Sequence, residues 1–126
     1  MPEIDLPRRF ESVAAACDHV ERAVVALGWS DEDVSRVVLA TGEAVGNAVE
    51  HGGGDLRLDY DSSSPERLTV CVRDGGPGPT PQQVAAASLP SPDAVGGRGL
   101  YILSRLTDAV RVEPDGALCL TFAVRP

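Results

Sequence analysis

Three polar side chains in the stretch LATGEAVGNAVEHGGG, residues 39–54, stand at intervals that could do chemistry: Glu43, Asn47 and His51, four positions apart. On an α-helix that spacing stacks them on one face, turn upon turn. A carboxylate so placed can take a proton from an attacking hydroxyl or water, and a carboxamide oxygen one turn on suits a hydrated Mg2+. Asp74 closes a strand-like run and can accept from the exocyclic amine of a base. Gly76 and Gly78 after it would let the backbone come close to a ligand. Gly97-Arg98-Gly99, at the start of a helical pattern, offers phosphates a nest of N–H groups and the positive end of a dipole. These are the parts of a Mg-nucleotide site without a P-loop. All eleven basic residues are arginine and no GxxxxGK occurs, which closes both the P-loop route and Schiff-base chemistry.

The elements that must position these groups are legible from periodicity. Val13, Ala16, Cys17, Val20, Val24 and Leu27 make an amphipathic helix from Ser12, closed by Gly28. Ser30 then caps a second helix whose first turn is acidic and which runs to about Glu50, ending against Gly52-Gly53-Gly54. Its stripe of Val34, Val37, Val38, Thr41, Ala44, Val45 and Ala48 is separate from the polar row. Alternation at Leu56–Tyr60 and Leu68–Val72 predicts a β-hairpin, and residues 109–113 and 117–124 a second, turning at Pro114-Asp115-Gly116. Residues 3–10 read as an edge strand, because Pro7 bars a central one. Residues 79–96, rich in Pro, Ala and Ser, read as a mobile lid with a short helix at 82–87, and a third helix runs from Leu100 to about Thr107. The order gives an α+β two-layer sandwich, one domain over residues 1–126, with a mixed or antiparallel sheet and helices on one face.

Composition narrows the function classes. A chain of 126 residues suits one domain, and its net charge of −8 argues against a nucleic-acid partner, which asks for a basic face. No apolar run approaches the roughly 18 residues of a membrane span, and the opening MPEIDLPRRF has no signal-peptide core. Cys17, Cys71 and Cys119 stand far apart in apolar surroundings, so they read as buried free thiols in a reducing cytoplasm. His19 reads as surface and Trp29 as inter-helix packing. Asp74-Gly75-Gly76-Pro77-Gly78 taken alone would be no more than a tight turn.

Glu43-x-x-x-Asn47, Asp74-x-Gly76-x-Gly78 and Gly97-x-Gly99-Leu100, in that order, resemble the N box and the two glycine boxes of the GHKL (Bergerat-fold, histidine-kinase-like) ATPase superfamily. The wording EAVGNAVEH and GGRGLYILSRLTDAV is similar to that of bacterial anti-sigma-factor serine/threonine kinases. The resemblance implies ATP and Mg2+ as cofactors, a sigma factor as captive and a small anti-anti-sigma (STAS-type) antagonist as phosphoacceptor. It implies Glu43 as general base, Asn47 as Mg2+ ligand, Asp74 as adenine reader and Thr121 as support for Asp74. Gly97, Arg98, Gly99 and Leu100 would hold phosphates, with His51 beside the ligand, and a homodimer could form through the first helix. Such kinases usually carry an arginine just before the second glycine box. Val95 stands there, with Arg98 inside the box as its substitute. Two further expectations follow: an ATP-binding regulator without phosphotransfer, and a stand-alone histidine-kinase catalytic domain. The latter needs a phosphoacceptor helix pair, whereas the only histidines are His19 and His51.

Overall fold

The computed structural model describes residues 2–51, 53–75 and 97–125. The elements are β1 (Glu3–Leu6), α1 (Glu11–Ala26), α2 (Asp31–His51), β2 (Leu56–Ser64), β3 (Arg67–Arg73), α3 (Gly97–Leu106), β4 (Ala109–Val112) and β5 (Leu118–Ala123). Five strands form one sheet in the order β1-β2-β3-β5-β4. Every pairing is antiparallel, which resolves the mixed-or-antiparallel expectation. β1 takes the edge, as Pro7 required.

Local chemistry sets the helix limits. α1 stops at Gly28, whose φ of 78° suits a residue without Cβ. The Ser30 hydroxyl accepts from the Asp33 N–H at 3.2 Å, and the Ser30 carbonyl from the Val34 N–H at 2.9 Å, so α2 begins on a side-chain cap. Thr107 closes α3 by donating both its N–H and its hydroxyl to the Leu103 carbonyl. The first turn of α3 is itself the glycine stretch, three residues earlier than the periodicity of its apolar residues indicates.

Strand alternation divides the sheet into two faces. Leu56 and Leu58, then Leu68, Val70 and Val72, then Leu118, Leu120 and Phe122 point toward the helices and meet Val20, Val24, Val37, Ala44 and Val45 in one core. Each fully buried Leu or Phe contributes about 1.5–3 kcal/mol relative to exposure. Trp29 is buried at the rim, where its indole N–H donates to the Pro65 carbonyl at 2.8 Å and ties the helix connection to the β2–β3 turn.

The opposite face corrects the thiol reading. Cys71 and Cys119 are directly opposed across β3 and β5, with Cα atoms 4.1 Å apart, and form a disulfide. Only cross-strand register brings them together; a separation of 48 residues gives no local sign of it. Cys17 alone is free, and burial, helped by the Asp18 and Glu21 carboxylates, pushes its thiol pKa up.

One buried polar cluster crosses the core. Arg36, on α2 and only 6% exposed, donates from one terminal nitrogen to the Leu106 carbonyl at 3.0 Å and to Asp108 Oδ2 at 3.1 Å. Its other terminal nitrogen donates to Asp33 Oδ1 at 3.0 Å and to the Ala123 carbonyl at 2.7 Å. The guanidinium carbon lies 5.7 Å from the centre of the Phe122 ring. Burial acts to raise the Asp108 pKa, but the bond from the Ala123 N–H and the charge of Arg36 outweigh it and hold the carboxyl below the usual range. The planar fork of arginine suits a junction with four acceptors on three elements.

Candidate functional site

Glu43 and Asn47 lie half-buried on α2, one turn apart. Their neighbours Ala44, Val45 and Ala48 are in the core, so the two polar side chains mark the margin where α2 emerges from it. His51 is the last residue of α2. Two other elements pack on α2: α1 and α3. The close fit to α1 falls at Gly42, where a Cβ would lie 3.4 Å from the Cys17 sulfur.

Asp74 follows the last residue of β3. In that strand the even-numbered Leu68, Val70 and Val72 point toward the helices. Alternation therefore puts the next even position, Asp74, on the helix side, where it is half-buried. Arg73 faces the opposite way and is pinned there. It is hydrogen-bonded to Asp59 on β2, and its Nε donates to Asp115 Oδ2 at 2.9 Å in the β4–β5 turn. The bond to Asp115, offset in part by burial and reinforced by Asp59, raises the Arg73 pKa, so this anchor stays charged. Asp115 accepts in addition from the Ala117 N–H at 3.0 Å. That bond and the one from Arg73 hold its carboxyl below the usual range.

A close backbone crossing joins the two halves. The turn after α2 and the turn after β3 meet at Gly53 and Gly75, where a Cβ on Gly75 would lie 1.9 Å from the Gly53 carbonyl oxygen. Gly54, at φ 135°, bends the chain under the same contact. Both turns need glycine here because two main chains occupy the space of one side chain. The consequence is local geometry: the chain leaving the Glu43–Asn47 helix passes in close contact with the chain leaving Asp74. Gly75→Ala is expected to push these turns apart, at a cost of about 1–3 kcal/mol. A denaturant-unfolding midpoint unchanged from wild type would show that the crossing yields more easily than its geometry implies.

Gly97, Arg98, Gly99 and Leu100 form the first turn of α3, so the N–H groups there have no partner within the helix and face whatever lies ahead of it. Gly76, Gly78, Val95, the short helix expected at 82–87 and the lid fall outside the described residues. Among the described residues, no group of three or more His, Cys, Asp or Glu could hold a metal ion. A carboxamide at Asn47 beside one carboxylate fits a Mg2+ that keeps water and phosphate ligands better than a caged resident metal.

Thr121 does not belong to this site. It is paired with Thr69 and Ala109, five register positions along β3 from Asp74, or about 16 Å at 3.3 Å per residue. The residue opposite Arg73 in continuing register is Ala117, which is fully buried. Two structural features leave little mark in the sequence. Gly75 hides among neighbouring glycines, and only the crossing distinguishes it. Arg36 carries a fainter signal, being a charged residue seven positions before Glu43 on the inward-turning flank of α2.

A family model of the histidine kinase-like ATPase domain matches residues 6–123. No curated protein matches the chain.

Proposed function

Because the chain belongs to the histidine kinase-like ATPase family, we propose that it works as an ATP-dependent anti-sigma-factor serine/threonine kinase. In this reading it sequesters a sigma factor and phosphorylates a serine on a small STAS-type antagonist. The observation that carries the site is the Gly53–Gly75 crossing, where the turn after the helix bearing a carboxylate and a carboxamide passes close to the strand end that bears Asp74.

Each residue then has a role that its chemistry supports. Asp74 accepts a hydrogen bond from the adenine amine. The N–H groups of the first turn of α3 receive phosphates. Asn47 supplies a neutral oxygen to Mg2+, which when bound neutralises phosphate charge and leaves the protein few ligands to provide. Glu43, a turn before it, takes the proton from the attacking serine hydroxyl as the phosphoryl group transfers. An acidic surface, net charge −8, complements basic helices of a protein partner and repels nucleic acid. A homodimer belongs to the same reading, whereas the cytoplasmic setting expected from free thiols loses that support with the Cys71–Cys119 disulfide; among the described residues no helix is long and apolar enough to cross a membrane.

A second reading rests on Val95, which replaces the arginine such kinases usually carry: an ATP-binding regulator that captures its partner without transferring phosphate. Calorimetric titration with ATP, with and without Mg2+, tests what the two readings share. Micromolar, Mg-dependent binding is expected. Absence of binding would overturn both and leave a partner-binding module on a nucleotide-binding frame.

A further inference from the structure

Arg36 is a buried cation spent on an unusual set of acceptors. Two of the four, the Leu106 carbonyl and Asp108, belong to the end of α3 and the turn that follows it. The others are Asp33 on α2 and the Ala123 carbonyl at the end of β5. The cluster is cross-braced. Asp108 Oδ2 also accepts from the Ala123 N–H at 2.7 Å, the Asp108 N–H donates to the Thr121 carbonyl at 2.8 Å, and Asp33 Oδ2 accepts from the Arg125 N–H at 3.3 Å.

Arg36, Glu43 and Asn47 lie seven and eleven residues apart, so they share one stripe of α2. From Arg36 to Asn47 is about 16 Å along the axis, and from Leu106 back to Gly97 about 14 Å, at 1.5 Å per residue. With the C-terminal end of α3 fastened at Arg36 and α3 packed on α2, a run of α3 back along α2 would carry its opening turn to the level of Asn47.

We propose that Arg36 is a positioning residue. By fastening the far end of α3 to α2, it sets the level at which the phosphate-receiving turn of α3 faces Glu43 and Asn47. This rests on the ATP-site reading above. Asp74 comes from β3 and is held by Arg73 and the Gly53–Gly75 crossing, so base recognition does not depend on Arg36.

That independence supplies the test. Arg36→Met and Asp108→Ala are compared with Val24→Ala, a core truncation on α1 that lowers stability without touching the α2–α3 joint. Affinities for Mg-ATP and for adenosine are measured by titration well below each variant's melting temperature. Asp108→Ala keeps the Arg36–Asp33 pair and so serves should Arg36→Met fail to fold. The expected result is a loss of roughly tenfold or more in Mg-ATP affinity with adenosine affinity within about twofold of wild type. Arg36→Lys should recover part of the loss, since a single ammonium reaches fewer of the four acceptors. Unchanged Mg-ATP affinity in the folded variants, or an equal loss for Val24→Ala, would overturn the positioning role alone. A wild-type protein that binds neither ligand would overturn the ATP-site reading and the inference with it.

Discussion

Replacing Glu43 with glutamine should leave Mg-ATP bound and slow phosphoryl transfer to an antagonist serine by about 10²–10⁴, the range for removal of a general base. That is roughly 3–5 kcal/mol of barrier. Glutamine keeps the size of the side chain and a carbonyl acceptor but cannot take the proton. Glu43 sits half-buried at the margin of α2 rather than inside the core, so the substitution should not unfold the helix. Single-turnover kinetics at saturating ATP isolate the chemical step from binding. An undiminished rate would remove Glu43 from the role of base. A wild-type rate indistinguishable from background, with ATP bound, would favour the regulator that transfers nothing.

Asn47→Ala should act on the other quantity. Alanine is the better helix former, so α2 should persist. What is lost is the carboxamide oxygen proposed as the Mg2+ ligand. Mg-dependent ATP binding is expected to disappear in calorimetry, leaving the weak Mg-independent contribution of Asp74 and the start of α3. If affinity keeps its full Mg dependence, the metal ligand lies elsewhere. The two variants separate cleanly: one binds without transfer, the other fails to bind.

Much of this architecture can be read from the chain because its signals are local. Helical spacing from Val13 to Leu27 and from Val34 to Ala48 reports which side of each helix is buried. The Pro114-Asp115-Gly116 turn marks a hairpin, and its glycine takes φ 89°. The Glu43–Asn47 row and the glycine stretches likewise depend on neighbours a few residues apart. What escaped depends on register between distant strands. The resemblance implies Thr121 as a companion for Asp74, yet antiparallel pairing sets it opposite Thr69. Cys71 and Cys119 looked like separate thiols because nothing in either strand specifies the other. Arg36 joins segments as much as 87 residues away, and no periodicity encodes such a junction.

The disulfide has a topological consequence. It closes a ring across 48 residues, from β3 to β5, that contains Asp74, the two later glycine stretches and all of α3. Glu43 and Asn47 lie on the open tail outside it. A single proteolytic cut within the ring therefore releases nothing: the fragments remain one molecule until a reductant parts them, whereas a cut beyond the α2 terminus severs the Glu43–Asn47 segment at once. The protein is divided covalently into a ring that carries Asp74 and α3 and a tail that carries Glu43 and Asn47.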